Sequence, residues 1–406
     1  MAKILISSLG TGRNIKDSDS EYETTTYIID EKEYPEETFI SKSIIEHYDI
    51  DKVILMGTNK SMWDGAYFGF SGELDDNWEK LNNKKKDGGI LKEDLTIVEK
   101  TINNHIGKGG SKALFVKYGQ NEDEMWENFE IMYHINQYID EGDEVYLDIT
   151  HAFRSLPVMM FIVMEFMHIK RNDFKLSGLL YGMLSDDKSP VIDLKIFFEL
   201  LDWAKAISAM KYYGNLDPLV LLLQGDNNEE KDVERIFTQL NNNIKIANLA
   251  SIKQFVTNAS KKINVLKKSE NKIVKLLSDD IIAFIERLNK DKMSDFQFEL
   301  AKWFYDNKQY ALSYMALAEA IVTKNCEISN LDRNDLSSEN KRAMKSITHP
   351  YDKLFQKNHP DSITNIRDNI AHQLNERKDS TGRDIEKLSR FINDFEPYFK
   401  RERIVN

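Results

Sequence analysis

Apolar residues follow two different rhythms along the chain. In the first half they gather in short runs with little alternation: Lys3–Leu9 (KILISSL), Lys52–Met56 (KVILM), Lys112–Lys117 (KALFVK) and Glu144–Ile149 (EVYLDI). Consecutive apolar positions suit strands covered on both faces. Helical stretches at 39–48, 94–106 and 122–139 precede the last three runs, and a further helix covers 153–170. Strands alternating with helices of this length predict a parallel, doubly wound α/β sheet. Thr24–Asp30 reads as another strand, and Lys175–Met183 with Val191–Lys195 as a terminal antiparallel pair. The glycine-rich, basic segment 60–89 reads as a long surface loop with one short helix.

After Phe198 the rhythm changes to three- and four-residue spacing, seen in 244–266, 273–288, 295–305, 310–324, 361–374 and 384–399. That spacing predicts an all-α domain of about five or six helices. The breakers agree. Of 18 glycines only Gly382 lies beyond Gly225, and no proline falls between Pro218 and Pro350. Two architectures therefore meet between residues 200 and 225. The division expected is 1–198 for the α/β domain, 199–260 for a helical connector and 261–406 for the remaining helical domain.

Composition narrows the function classes. The 406 residues carry a formal charge of -12, which argues against a protein coated in nucleic acid but leaves room for a local basic groove. The single cysteine, Cys326, excludes a disulfide scaffold and a cysteine-built zinc site, and it fits a reducing cytoplasm. The first residues are too short an apolar run for a signal peptide, and 156–169, broken by Glu165, is too short to span a bilayer. No membrane partner is expected.

Candidate chemistry collects at the strand ends, where open α/β sheets bind ligands. The first strand runs into Ser8-Leu9-Gly10-Thr11-Gly12, and Gly-x-Gly lets backbone N–H groups approach a phosphate. A third, helix-opening glycine is missing, which argues against a dinucleotide-dependent oxidoreductase. Other strand ends supply Thr58, Asn59, Ser61 and Trp63, and then Asp148, Thr150, His151 and Arg154. Placed at a helix start, His151 and Arg154 would share a face and favour an anion. Asp148 is set to orient its loop through backbone hydrogen bonds. Such a collection can hold sugar hydroxyls, phosphates and stacked bases. No metal-ligand spacing appears, and no cofactor is expected.

A second constellation is Arg367-Asp368-Asn369-Ile370-Ala371-His372 on a predicted helix. Five residues place Arg367 and His372 about 140° apart, so they do not share one stripe. Two copies meeting across a dimer axis would still combine them in one cleft. Histidine can move protons near neutral pH, and arginine can bind phosphate and stabilise the charge that develops on it. Together they suffice for metal-free RNA cleavage by the neighbouring 2′-hydroxyl. Residues 341–406 hold 14 Lys+Arg against 10 Asp+Glu, a basic excess where RNA would bind. A solvated helix face is the rival reading.

The stretches Ser8-Leu9-Gly10-Thr11-Gly12, Gly57-Thr58-x-x-Ser61-x-Trp63-Asp64 and Asp148-Ile149-Thr150-His151 resemble the CRISPR-associated Csx1/Csx2 group, within the Csm6-like proteins. That group's hallmark is Asp-x-Thr-His-Gly, and Ala152 stands here at the glycine position. Arg367 to His372 resembles the HEPN ribonuclease signature. The resemblance implies a Rossmann-like CARF domain that senses a cyclic oligoadenylate, expected to be cyclic tetra-adenylate, followed by an all-α HEPN domain. It implies a type III CRISPR endoribonuclease that cuts single-stranded RNA without metal, as a homodimer or larger homo-oligomer. Ser8, Gly10, Thr11, Gly12, Thr58, Asn59, Ser61, Trp63, Asp148, Thr150, His151 and Arg154 become candidate activator contacts. Arg367 and His372 become the catalytic pair, with Asp368 and Asn369 in support. The alternative is a non-catalytic sensor that binds RNA or protein.

Overall fold

The computed structural model describes residues 1–13, 22–151, 155–183, 185, 188–223, 228–332, 334, 337, 340, 343–347, 350–356, 359, 361–372 and 381–401. The chain forms two compact units, Met1–Glu199 and Leu200–Asn406.

The first unit is built on one eight-stranded sheet. Its strands are β1 (Lys3–Leu9), β2 (Thr25–Ile29), β3 (Lys32–Glu37), β4 (Lys52–Gly57), β5 (Lys112–Phe115), β6 (Glu144–Asp148), β7 (Lys175–Gly182) and β8 (Lys188–Asp193). The order is β3-β2-β8-β7-β6-β1-β4-β5. β1 lies between β6 and β4, parallel to both, with Ile6 opposite Leu147 and Ile54. β1 is apolar because both of its faces are covered: Ile4, Leu5 and Ile6 are fully buried, Leu5 in one cluster and Ile4 and Ile6 in the other. Each such side chain contributes about 1.5–3 kcal/mol. The fold is thus Rossmann-like, with α1 (Ile40–Tyr48) and α4 (Leu95–Ile106) serving the first cluster and α5 (Glu122–His134) and α6 (Ser155–Lys170) the second.

Two expectations change here. The β7–β8 pair is antiparallel as expected but not terminal, because β2 adds to β8 in parallel and β3 closes the edge. Segment 60–89 is not a surface loop: it forms α2 (Trp63–Ser71) and α3 (Asp76–Lys86), and Trp63, Ala66 and Leu81 are fully buried. Glycines inside α2 serve packing. A Cβ at Gly65 would lie 2.8 Å from the Tyr22 ring, and one at Gly69 2.7 Å from the Phe39 ring.

The second unit is helical throughout its described elements. α7 (Ile196–Tyr213) leads to α8 (Asp217–Leu222), α9 (Asn228–Lys245), α10 (Leu249–Lys262), α11 (Lys272–Leu288), α12 (Met293–Asp306) and α13 (Tyr310–Ser329). Asp352–Phe355, Ile363–His372 and Thr381–Phe399 follow, so there are more helices than five or six. The single helix expected over 244–266 is divided at Ala247, whose φ of 55° lies in the left-handed region. One apolar cluster runs from Trp203 to Phe399. In it α12 and α13 pack closely through Ala301, Ala316 and Ala320, and the Ser313 hydroxyl donates to Ala301 O at 2.8 Å. Among the described residues no helix is long and apolar enough to cross a membrane.

Candidate functional site

A cavity of about 580 Å³ opens at the carboxyl ends of β1, β4 and β6. That volume suits a small-molecule ligand. Its wall includes Ser8, Gly10, Thr11, Gly12, Gly57, Thr58, Thr150 and His151, together with apolar Leu9, Met56, Val116 and Leu156. Arg13, Glu23, Thr24, Thr25, Tyr27, Thr38, Met62 and Ser185 complete it, beyond what the sequence reading named. β2 explains the threonines and Tyr27. It runs parallel to β8, which is antiparallel to β7, which is parallel to β6. β2 is therefore reversed against the central strands, and its beginning lies at their carboxyl ends.

The glycine loop is fastened from behind. The Ser61 hydroxyl donates to Leu9 O at 2.7 Å, Met62 N–H to Gly10 O at 2.9 Å and the Lys85 ammonium to Thr11 O at 3.4 Å. These bonds occupy the carbonyls of three successive residues. Among the described residues neither Thr11 N–H nor Gly12 N–H has a hydrogen-bond partner. Free backbone donors in a glycine turn are what an anion uses. The turn after β4 is held by its own side chains: Thr58 N–H donates to Ser61 Oγ at 2.9 Å, and Trp63 Nε1 to Thr58 O at 2.8 Å.

The structure thereby divides the expected ligand residues. Ser61 and Trp63, 1% and 0% exposed, stand behind the wall and shape the turn. Asn59 is also off the wall; its carbonyl accepts from Ile90 N–H at 2.8 Å. Asp148, fully buried, accepts from Ser7 Oγ at 2.5 Å and from Thr150 N–H at 2.9 Å, which is the loop-orienting role. The Thr150 hydroxyl accepts from Gly182 N–H at 2.8 Å, tying that loop to β7. His151 lies four residues before Ser155, where the described part of α6 begins. Arg154 lies outside the described residues.

His151 Nε2 lies 3.2 Å from the Tyr27 hydroxyl. Burial pulls the His151 pKa below its usual value, against the opposing pull of the Asp148 charge. Burial, and then the Asp148 charge, push the Tyr27 hydroxyl far up, so it keeps its proton. The site therefore presents a neutral imidazole that an incoming anion would favour protonating.

Beside the loop, buried Tyr22 and Asp64 cluster with half-buried Lys85. The Tyr22 hydroxyl donates to both Asp64 oxygens at 2.7 and 2.9 Å, and Lys85 donates to that hydroxyl while lying 3.6 Å from Asp64. A Cβ on Gly12 would lie 2.5 Å from the Tyr22 ring, and Gly12 has φ +74°. Only glycine allows the loop to close over this ring.

In the helical unit, Arg367, Asp368, Asn369 and His372 lie on the helix Ile363–His372, and Ile363 and Ile366 bury its inner face. Arg367 Nε lies 3.3 Å from Asp368 Oδ1 in an ion pair without hydrogen-bond alignment. Asn369 Nδ2 donates to Asn365 Oδ1 at 2.9 Å. The His372 side chain is outside the described residues. Among the described residues no group of three or more His, Cys, Asp or Glu could hold a metal ion.

Comparison with known proteins places this geometry. Residues 4–184 match the family described as "CRISPR system endoribonuclease Csx1, CARF domain", and residues 199–295 match "CRISPR-associated protein MJ1674, second domain". The α/β unit with its strand-end cavity is thus a CARF domain. The CRISPR-associated protein MJ1674 of Methanocaldococcus jannaschii is 33% identical over 404 residues, covering 92% of this chain and 62% of that protein. The chain thus spans less than two thirds of that relative's length, and over 4–184 it is similar to the CRISPR-associated Csx1 proteins. A solved structure, Enterococcus italicus Csm6 bound to cyclic hexa-2'-fluoro-hexa-dAMP, aligns over 98% of this chain and 94% of its own, with 15% identity and a TM-score of 0.42. At that score the likeness carries nothing further.

Proposed function

We propose that this protein is a cyclic-oligoadenylate-activated endoribonuclease that cleaves single-stranded RNA in type III CRISPR defence, acting as a homodimer in the cytoplasm. The observation that carries the reading is the strand-end cavity, with Thr11 and Gly12 N–H groups that have no partner among the described residues at its rim and Arg13 and His151 in its wall. These groups suit the phosphates of a nucleotide ring, and Thr24, Thr25, Thr38 and Thr58 offer hydroxyls to its sugars and bases.

Cleavage is assigned to the HEPN-type helix within 261–406. Arg367 would bind the scissile phosphate. His372 would move the proton as the 2′-hydroxyl oxygen attacks phosphorus and the 5′-oxygen leaves, with no metal required. Asp368 would orient Arg367 through their ion pair. That same pair favours a second reading, in which Arg367 is structural and the protein is a non-catalytic sensor. One experiment separates them. Labelled single-stranded RNA is incubated in EDTA with wild-type protein and with His372→Ala, alone and with cyclic tetra- or hexa-adenylate. Ring-stimulated cleavage lost in His372→Ala supports the nuclease; cleavage unchanged in that variant removes the assigned site.

A further inference from the structure

The most basic stretch of this chain is not the one around Arg367. Residues 253–275 contain seven lysines and one acid, Glu270, in a chain whose net charge is -12. The segment comprises most of α10, the 3-10 turn Ile263–Lys268 and the first turn of α11. Its apolar positions Val256, Ala259, Ile263, Leu266, Ile273 and Val274 are buried, which fixes the lysines outward. Lys261, Lys262, Lys267, Lys268, Lys272 and Lys275 are all exposed.

Neighbouring acids offset little of this charge. Lys262 pairs with Asp232 of α9 at 2.5 Å, and Lys267 with Asp279 of α11 at 3.0 Å. Among the described residues Lys261, Lys268, Lys272 and Lys275 have no ion pair within 4.0 Å. α9 also carries Glu229, Glu230 and Glu234, against Lys231 and Arg235, and Glu230 is buried. The first turn of α11 contains no acid. Unpaired like charges on a rigid, packed turn repel one another, and a polyanion relieves that repulsion.

We propose that the surface formed by the end of α10, the turn Ile263–Lys268 and the start of α11 is a docking site for the phosphate backbone of single-stranded RNA. The choice of RNA over another polyanion rests on the nuclease reading above. Exposed lysines without aromatic partners read charge and spacing, so this surface binds without base preference. It would hold a long strand while a different part of that strand reaches the cleaving residues.

The test uses the full chain and a labelled 20-nucleotide single-stranded RNA in binding titrations over a salt series. Lys268→Glu/Lys272→Glu is compared with a control of equal charge change, Lys100→Glu/Lys308→Glu, and melting curves check the fold. Lys268→Gln/Lys272→Gln replaces the first pair should it fail to fold. The patch variant should bind about tenfold more weakly than the control, and its salt slope should be shallower by about 1.4, roughly 0.7 for each lost contact on a single strand. Equal affinity and slope in patch and control variants overturn the proposal. So does a wild-type chain that ignores RNA yet binds anionic vesicles or polyglutamate. RNA held by the patch with no cleavage under any cyclic oligoadenylate leaves this surface standing and removes the nuclease reading instead.

Discussion

Gly12→Ala tests whether the glycine loop is shaped for a ligand or is merely a tight turn. Alanine at φ +74° pays about 1–2 kcal/mol for the left-handed conformation. The added methyl would also sit 2.5 Å from two atoms of the Tyr22 ring and 2.9 Å from Met62 Sδ. The ring has nowhere to retreat. Its hydroxyl is held by Asp64 at 2.7 and 2.9 Å, and its far edge covers Gly65, where a Cβ would lie 2.8 Å away. The loop must yield instead, by about 1 Å to regain an ordinary carbon contact. That displacement moves the Thr11 and Gly12 N–H groups away from the cavity. Gly72→Ala is the matched control: φ is +71°, and nothing lies within 4 Å of its Cβ. Urea unfolding should show both variants destabilised by about 1 kcal/mol or more. Equilibrium binding of labelled cyclic tetra-adenylate should weaken at least tenfold, about 1.4 kcal/mol, in Gly12→Ala only. Binding within twofold of wild type in Gly12→Ala, or an equal loss in Gly72→Ala, would refute the loop's role.

Lys85→Met should weaken the same binding several-fold while Lys85→Arg restores it, because the charge and the donor to Thr11 O return together; binding that ignores both removes Lys85 from the account. Tyr22→Phe keeps the ring over Gly12 but leaves Asp64 buried with one partner fewer, so thermal unfolding should show a loss of about 1–3 kcal/mol, and no loss would mean that Asp64 is satisfied otherwise. His151 has its pKa lowered by burial, so the unfolded chain binds the extra proton first, and this contribution to stability is lost as pH falls below about 6.5. A bound phosphate raises that pKa again, so cyclic tetra-adenylate should bind more tightly as pH drops through the same window. His151→Gln should flatten that dependence, and a slope unchanged in the variant assigns it to another group.

How far the sequence reveals this molecule depends on whether each segment's own residues decide its structure. β1, β4 and β6 were legible because an unbroken apolar run has only one use in an α/β protein, a strand covered on both faces. β3, KEYPEE, was not: it is an edge strand with only Tyr34 buried, so charge and proline mask it. Helices α2 and α3 were hidden for the opposite reason. Gly65 and Gly69 read as breakers, yet they are helical because distant rings, from Tyr22 and Phe39, fill the space their side chains would take. At the cavity, residues after β1 and β4 and the Thr150–His151 pair after β6 followed from the strand-end rule. Tyr27, Thr24 and Thr25 did not, since the rule names carboxyl ends and β2 enters reversed. Ser61 and Trp63 carry polar groups that sequence alone assigns to ligand; the fold spends them on Leu9 O and Thr58 O.

Charge shows the same dependence on placement. Counting along the chain singled out residues 341–406 as basic, with 14 cations against 10 anions. Yet in that segment Arg367 faces Asp368 at 3.3 Å and Lys387 faces Asp361 at 2.7 Å, so these cations already have acidic partners. In 253–275 the cations outnumber the single acid, and four of the exposed lysines have no ion pair among the described residues. A polyanion responds to unpaired charge at a fixed spacing, not to a segment's total. The same holds beside the CARF cavity, where the Lys85 ammonium is engaged by Asp64 and Tyr22 and reaches the glycine loop only at Thr11 O. On the proposals above, recognition at both places would follow from which charges the fold leaves unanswered. That predicts opposite salt behaviour: steep for RNA on the lysine turn, shallow for a ring seated on backbone N–H groups beside a neutral histidine. A steep salt dependence for the ring, surviving Arg13→Gln, would contradict this division.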